Sequence, residues 1–504
     1  MEYCKTKIRV NINWPMECHT PRFTYFWNPI YKEDMSTRLM IWHYQFLLLM
    51  RNKQLLISFL ILIALAFYAI LYGQHFRERQ QTIVQGIEEK LAINDSIARK
   101  FVLKIDTSSE IRKQNFQYRP MAADVIMRKF VVYKPSEFSA LSIGQKDTYP
   151  YYHDVNTNNS LHSSVIQEMH NPNKLQAGNF DLSFIIIYLI PLLIIALSYN
   201  VISGEQDLRT YTLLRIQIPI SKLIIYKLEF QFILVIGLVL FFNIAGFLIS
   251  GLTIQDDLYN MLVWISINVL YILFWFSICY LIISFNSSSS LNALLLGSIW
   301  IILVMVVPSA INNISNPPNE DEMIKSTFRR GRETDVHHEL TQQQALDSFY
   351  RLKHPYPVPI IKNPGAADIM HAQRELINRE ANMYAGYVIK RQKNQFNEVL
   401  AYGPINPIFI TQYAFNQVAA TELNSYLMYL DSAESYQTKR RYYIYDLMMN
   451  RKDFGIKEYE KFPEFTFQQP TYTFSKFSKD SIYIAGIIVL CLGIGFRQTK
   501  KRFL

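Results

Sequence analysis

Six long apolar blocks interrupt an otherwise mixed chain, at Leu55–Tyr72, Phe184–Val201, Phe230–Ser250, Met261–Phe285, Leu291–Ile311 and Ser481–Phe496. A helix rising 1.5 Å per residue needs about 20 apolar residues to cross a bilayer. One such block could be a buried core helix. Six, almost free of charge, predict a polytopic α-helical membrane protein with six transmembrane helices. The first block begins far from Met1 and no small-residue cleavage pattern follows it, so it is expected to remain as an anchor.

The polar stretches between the blocks are unequal. Two are large, residues 73–181 and 312–480. The first opens with "FRERQQTIVQGIEEKLAINDSIARKF", which predicts a helix running on out of the first span, and continues to "KFVVYKP", a strand candidate; it reads as α+β. The second reads as mainly α from Asp321 to Asp453, with an aromatic tail, "YEKFPEFTFQQPTYTFSKF", that reads as extended. Residues 35–54 place apolar side chains at helical spacing between basic ends, with Trp42 and Tyr44 as interfacial aromatics, and predict a helix lying in the membrane interface. The alternative is that they lengthen the first span. Residues 1–34 show no periodicity and are expected to be disordered or an upstream artefact, with translation starting at Met35.

Charge sets the expected orientation. Arg38, Arg51 and Lys53 precede the first span, and the basic tail 497–504 follows the last, so both termini are expected in the cytoplasm. The segment 203–222 then falls on the cytoplasmic side, and "GLTIQDDLYN", with two aspartates and no Lys or Arg, outside. Residues 73–181 and 312–480 become extracytoplasmic insertions, because long segments translocate regardless of charge. The formal net charge of +10 over 504 residues fits this basic cytoplasmic face and calls for no nucleic acid. Cysteines are few. Cys4 and Cys18 precede the first span, Cys279 and Cys491 lie within spans, and the large insertions have none to staple them.

Catalytic chemistry is not visible. The chain has no G-x-x-x-x-G-K-[ST] phosphate loop, no H-E-x-x-H and no paired C-x-x-C. His337, His338 and Glu339 cluster, but adjacent histidines on a helix point about 100° apart, which favours a solvated face over joint ligation. The spans carry no Asp, Glu, Lys or Arg at mid-depth; Asn243 and Asn268 are their most polar central groups and are expected to bond neighbouring helices. An ion-coupled carrier generally needs intramembrane charges or broken helices. Any transport by this chain is therefore expected to draw its energy from elsewhere, with no cofactor held by the chain itself.

The segment "SGEQDLRTYTLLRIQIPISK", Ser203–Lys222, is where such energy could enter. It predicts one short amphipathic helix between two spans, with Ser203 and Gly204 as a cap region, Glu205 and Asp207 in the first turn, and Pro219 ending it. Glu205, Asp207, Leu208, Arg209, Leu213, Leu214 and Arg215 are the candidate contacts to a soluble partner, apolar residues filling a groove and charges fixing register. The alternative is an ordinary surface helix in an inter-span loop. Glu205→Lys and Leu208→Asp are both expected to uncouple function and leave folding intact. Tyr149, Tyr151 and Tyr152 form a candidate external binding surface, or else an aromatic packing cluster.

The same segment resembles the loop between the second and third spans of ABC-2-type transporter permeases. Glu205, Leu213, Leu214, Pro219, Ser221 and Lys222 match; Thr210 replaces the usual Gly, and Arg215 interrupts the apolar run. "IGQKDTYPYYHDVN", "NPNKLQAGNFDLSFIIIYLIPLLIIALSYN" with Gly178, Phe180 and Asp181, and "GPINPIFITQYAFNQVAATE" are similar to a bacterial subfamily with a large domain inserted after the first span; Gly178 is expected to allow a tight turn and Asp181 to start the helix. The resemblance covers Met35 to the C-terminus. It implies a permease half-transporter in the bacterial cytoplasmic membrane, paired with an identical or a sister permease chain. A separate P-loop ATP-binding subunit, carrying ATP and Mg, would drive it through the coupling helix, with export the default direction. Two other readings stay open: a mechanotransmission complex acting on periplasmic partners, and a membrane-anchored sensory or binding protein.

Overall fold

The computed structural model describes residues 29–103, 120, 124, 127, 129–155, 179–315, 341–354, 358–452 and 454–503. Gly178, the His337–Glu339 cluster, Cys4 and Cys18 lie outside them. Among the described residues, six helices are long and apolar enough to cross a membrane: Lys53–Lys100, Leu182–Asp207, Ile220–Ile249, Ile254–Ile283, Ser289–Ile311 and Phe474–Arg502, here the first to sixth spans. Each covers one of the six apolar blocks to within two residues, and the chain is a polytopic helical membrane protein.

Several ends differ from the expected ones. The N-terminal helix is Pro29–Arg51, so it begins ahead of Met35 and takes in the end of the stretch expected to be disordered. Asn52 separates it from the first span, its Oδ1 accepting from the Gln54 and Leu55 amides as a cap. The helix of the first span then runs unbroken from Lys53 to Val102, 50 residues. That is about 75 Å, far more than the roughly 30 Å hydrocarbon core, so it carries on beyond the membrane as expected. The fourth span starts at Ile254 after its cap residue Thr253, with Asp256 and Asp257 in the first turn where carboxylates are favoured. Most of "GLTIQDDLYN" is thus helix and not loop. The sixth span likewise starts at Phe474, and Ile456–Glu460 forms a helical turn. Only the middle of the aromatic tail is non-helical. Its aromatics gave an extended pattern, but Lys476 and Phe477 donate their amides to Thr473 O and begin the helix early.

The second and fourth spans form the centre of the bundle. Leu182, Ile186, Ile190 and Ile194 of the second, and Trp264, Tyr271, Phe274 and Trp275 of the fourth, are fully buried in one apolar core. Asn243 of the third span accepts from Trp264 Nε1 at 3.0 Å, the inter-helix bond expected of it, whereas Asn268 bonds the Trp264 carbonyl of its own helix. The second and fifth spans each contain a π turn, Ile185–Leu189 and Ile302–Val306, and each has a proline close behind it, Pro191 and Pro308. A proline has no N–H and leaves a carbonyl one turn back without its helical donor. Ile187 O, four residues before Pro191, accepts from Tyr271 OH (2.7 Å), and Leu303 O, inside the π turn and five residues before Pro308, accepts from Asn406 Nδ2 (2.9 Å).

At the bundle end away from residues 203–222, the two insertions share one core. Strands β1 (Lys129–Val132) and β2 (Tyr152–Val155) pair antiparallel, Lys129 opposite Val155 and Val132 opposite Tyr152. Val131, Tyr133 and Val155 pack on Tyr426, Tyr429 and Leu430 of the helix Leu423–Met449 from the second insertion. Tyr429 OH donates to Val131 O (3.0 Å) and Tyr133 OH to Ala420 O (2.7 Å). A short 3-10 turn, Glu137–Ala140, wedges into the span ends. Phe138 meets Phe247 and Trp264 there, and a Cβ on Gly73 would collide with the Ala140 carbonyl, so glycine permits the approach. Asp181 caps the second span, accepting from Phe184 N (2.8 Å) as expected and also from Ile143 N (2.8 Å). The helix Pro407–Val418 joins the layer to the bundle, with Phe415 on Trp264 at 4.3 Å between centroids.

Candidate functional site

The segment 203–222 folds as two short helices, not one. Ser203–Asp207 and Tyr211–Gln217 are separated by a turn at Leu208–Thr210, where Arg209 takes the left-handed conformation with φ 61°. That conformation suits glycine, and a helix cannot pass through it unbroken. Ile218 is extended, and Pro219 precedes the third span as expected.

Glu205 does not face outward. It is buried, and its Oε1 accepts from Lys227 Nζ of the third span at 2.6 Å; Lys227 also donates to Val201 O at 3.1 Å. Thr210 donates its hydroxyl to the Glu205 carboxylate, which ties the second short helix to the first. Glu205 is thus turned away from the exposed face of the loop. A lysine there would set two cations side by side in a buried site, so Glu205→Lys cannot leave folding intact as expected. Asp207 is exposed and accepts from Ser289 Oγ (2.8 Å), which also bonds Ser203 Oγ. Gln206 donates to Asn286 Oδ1 (2.8 Å). The first short helix is thus fastened to the third span and to the start of the fifth.

The remaining candidates divide by exposure. Leu208 is 73% exposed, Leu213 65% and Ile216 80%, large values for such side chains. Arg209 and Arg215 are exposed beside them, while Leu214 and Tyr211 pack inward on the bundle core. The result is a bare apolar ridge with two arginines, on a base held by a buried ion pair and by polar bonds at the surface. Sequence reasoning missed Lys227, Ser289, Asn286 and Ile216. Lys227 is visible in the sequence as a cation in the first turns of the third span.

Other parts of the chain reach the same end of the bundle. Arg38 of the N-terminal helix pairs with Glu229, and Trp42 Nε1 donates to Tyr226 O (3.2 Å). Near the C-terminus, Thr499 lies within 3.4 Å of Tyr280 OH. Both described ends of the chain thus lie at the same end of the bundle as the 203–222 loop.

With this geometry in hand, the comparison with family models finds that residues 39–501 match the ABC-2 family transporter protein. The chain belongs to that family. It is a permease subunit of an ABC transporter, a multi-pass membrane transport component. Searches of curated proteins and of solved structures find no match.

On the far side of this ABC-2 transporter protein, the tyrosine cluster is mostly packing. Tyr149 stacks on Tyr426 at 4.5 Å between centroids and 5° between planes, and Tyr151 lies on the same core; Tyr152 alone of the three is exposed. Burial pushes the Tyr149 hydroxyl up, and takes the neighbouring His153 down to about 4. No group of three or more His, Cys, Asp or Glu among the described residues is arranged to hold a metal ion.

Proposed function

We propose that the ridge of Leu208, Leu213 and Ile216 is the docking surface for a separate P-loop ATP-binding subunit, and that the 203–222 loop is the coupling element of an exporter. The observation that carries this reading is the pairing of a bare apolar ridge with a braced base. A transmitter needs both: side chains left free for a groove, and a stiff link to the spans that must move. Arg209 and Arg215 fix the register against acidic residues of the partner. ATP and Mg are held by that subunit, and this chain supplies no nucleotide site. Two permease chains, identical or sister, pair along exposed span faces. The loop end is the cytoplasmic face of a bacterial inner membrane, and the shared layer of the two insertions lies outside.

The test is co-purification of the tagged full-length chain from its native membrane in mild detergent. A stoichiometric P-loop ATPase is expected with the wild type. Ile216→Asp and Leu208→Asp should each weaken its retention by about tenfold or more, the scale of a buried apolar hot spot, with unchanged melting of the permease. An ATPase retained equally by both variants would remove the ridge from the interface. Soluble periplasmic companions without any ATPase would favour the anchored binding reading instead.

A further inference from the structure

A second site lies where the sixth span emerges on the layer side. A cavity of about 320 Å³ opens between the helix Pro407–Val418 and the first turns of the sixth span. Its apolar wall includes Phe409 and Ile410, and Phe409 and Tyr413 lie parallel, 3° between planes with centroids 6.4 Å apart. Its other wall carries Lys476 and Lys479, both exposed, and Tyr483. Gln417 also lines it and is 8% exposed; its side chain bonds Tyr413, and its Oε1 has no hydrogen-bond partner.

We propose that this cavity binds the headgroup of an anionic phospholipid that bears a hydroxyl donor, such as a phosphoglycerol. Three independent features converge. The first is depth: the apolar run of the sixth span starts at Ser481, directly after Asp480, so Lys476, Lys479 and Tyr483 sit at the level of lipid headgroups. The second is charge. Lys476 and Lys479 stand exposed beside Asp480, whose Oδ2 accepts from Tyr472 OH at 2.9 Å, and Lys476 also faces the buried Glu422; both ammonium groups stay within reach of a phosphate at the cavity. The third is the acceptor: a buried, unpartnered Gln417 oxygen requires a donor, and a phosphate has none at neutral pH whereas a glycerol hydroxyl does. The aromatic and aliphatic wall then takes the glycerol backbone and the start of the acyl chains. A choline headgroup is disfavoured, because its cation would face the lysines.

The experiment is native mass spectrometry of the full chain in dodecyl maltoside, with phosphatidylglycerol or phosphatidylcholine added at equal concentration. Phosphatidylglycerol should be retained about tenfold better. Lys476→Gln with Lys479→Gln should abolish that preference, and Lys476→Arg with Lys479→Arg should keep it. Gln417→Leu should lower phosphatidylglycerol retention but not the residual phosphatidylcholine. Lys500→Gln with Lys501→Gln, at the other end of the same helix, should change nothing. Equal retention of the two lipids, or an unaltered preference in the Lys476/Lys479 glutamine variant, overturns the proposal. Competition by free glycerol phosphate as strong as by the lipid overturns its assignment to a lipid. Melting curves of the lysine variants should match the wild type, since both side chains are exposed. The outcome is independent of whether an ATPase docks on the far side.

Discussion

The second and fifth spans are built alike and buried differently. Each bends through a π turn followed by a proline, and each has a carbonyl inside that turn met by a side chain from elsewhere. Yet 67% of the apolar window of the second span is buried inside the chain, against 11% for the fifth. The second is closed from within the bundle: Tyr271 of the fourth span meets Ile187 O, Asp181 caps one end, and Glu205–Lys227 fastens the other. The fifth is closed from outside the bundle, by Asn406 at the start of the helix that leads into the layer. One defect in the helical ladder therefore serves two purposes. In the second span it lets a central helix bend without an unmet carbonyl. In the fifth it ties a lipid- or partner-facing helix to the layer.

The largest expected effect breaks the anchoring of the second span. Glu205→Lys should destabilise the permease by about 3–5 kcal/mol, the cost of uncompensated buried charge. Lys227→Glu in the same chain should recover part of it. Thermal unfolding in detergent reads both, and no loss in the single variant would mean that the pair does not hold the loop.

Next, Asn406→Ala removes two bonds at once, the one to Leu303 O and the cap on Ile408 N. The sum is about 2–4 kcal/mol. Hydrogen exchange should rise in residues 299–311 and stay unchanged in 184–197. Adding Pro308→Ala supplies an N–H that in helical register faces Val304 O and not Leu303 O, so it should leave the raised exchange in place. If exchange rises equally in both spans, the two closures are not separate.

Tyr271→Phe is the matching test for the second span, at about 1–3 kcal/mol for an unmet buried carbonyl. Pro191→Ala should offset it in the double variant, because the new N–H takes over Ile187 O. Additive losses in the double variant would exclude that account.

Acid should distinguish the two spans more gently. Burial takes His153 and His371 down to about 4, the latter helped by Arg374, and both belong to the layer. The unfolded chain protonates its histidines near 6.5 and the folded layer does not. Stability is thus complete above that value and falls as pH drops from 6.5 towards 4, by up to about 1.4 kcal/mol per unit for each histidine. Melting of the full chain at pH 7 and pH 5 should show the loss, and His153→Gln should flatten it. The Asn406 closure should loosen with the layer before the Tyr271 closure does.

The span count was legible because six apolar blocks of bilayer length admit few other readings. The capping role of Asp181 and the helix running out of the first span were legible for the same local reason: caps and periodicity are properties of neighbouring residues. The split of the 203–222 loop was not. Nothing in "LRT" announces a left-handed arginine, and the turn is held by Thr210 bonding back to Glu205. The inward face of Glu205 was hidden too, since its partner Lys227 lies on the next span.

By itself the sequence determined that this chain crosses a membrane six times, which polar segments separate the spans, and which of them carries an amphipathic loop. These follow from transfer free energies and local propensities, which act residue by residue. Only the tertiary structure decided which carboxylate turns inward, which leucines stay bare, how two distant insertions make one core, and which side chains close the Ile187 and Leu303 carbonyls. Those outcomes depend on groups far apart in the chain meeting at a few ångströms, where a hydrogen bond or an ion pair is either made or left unmet.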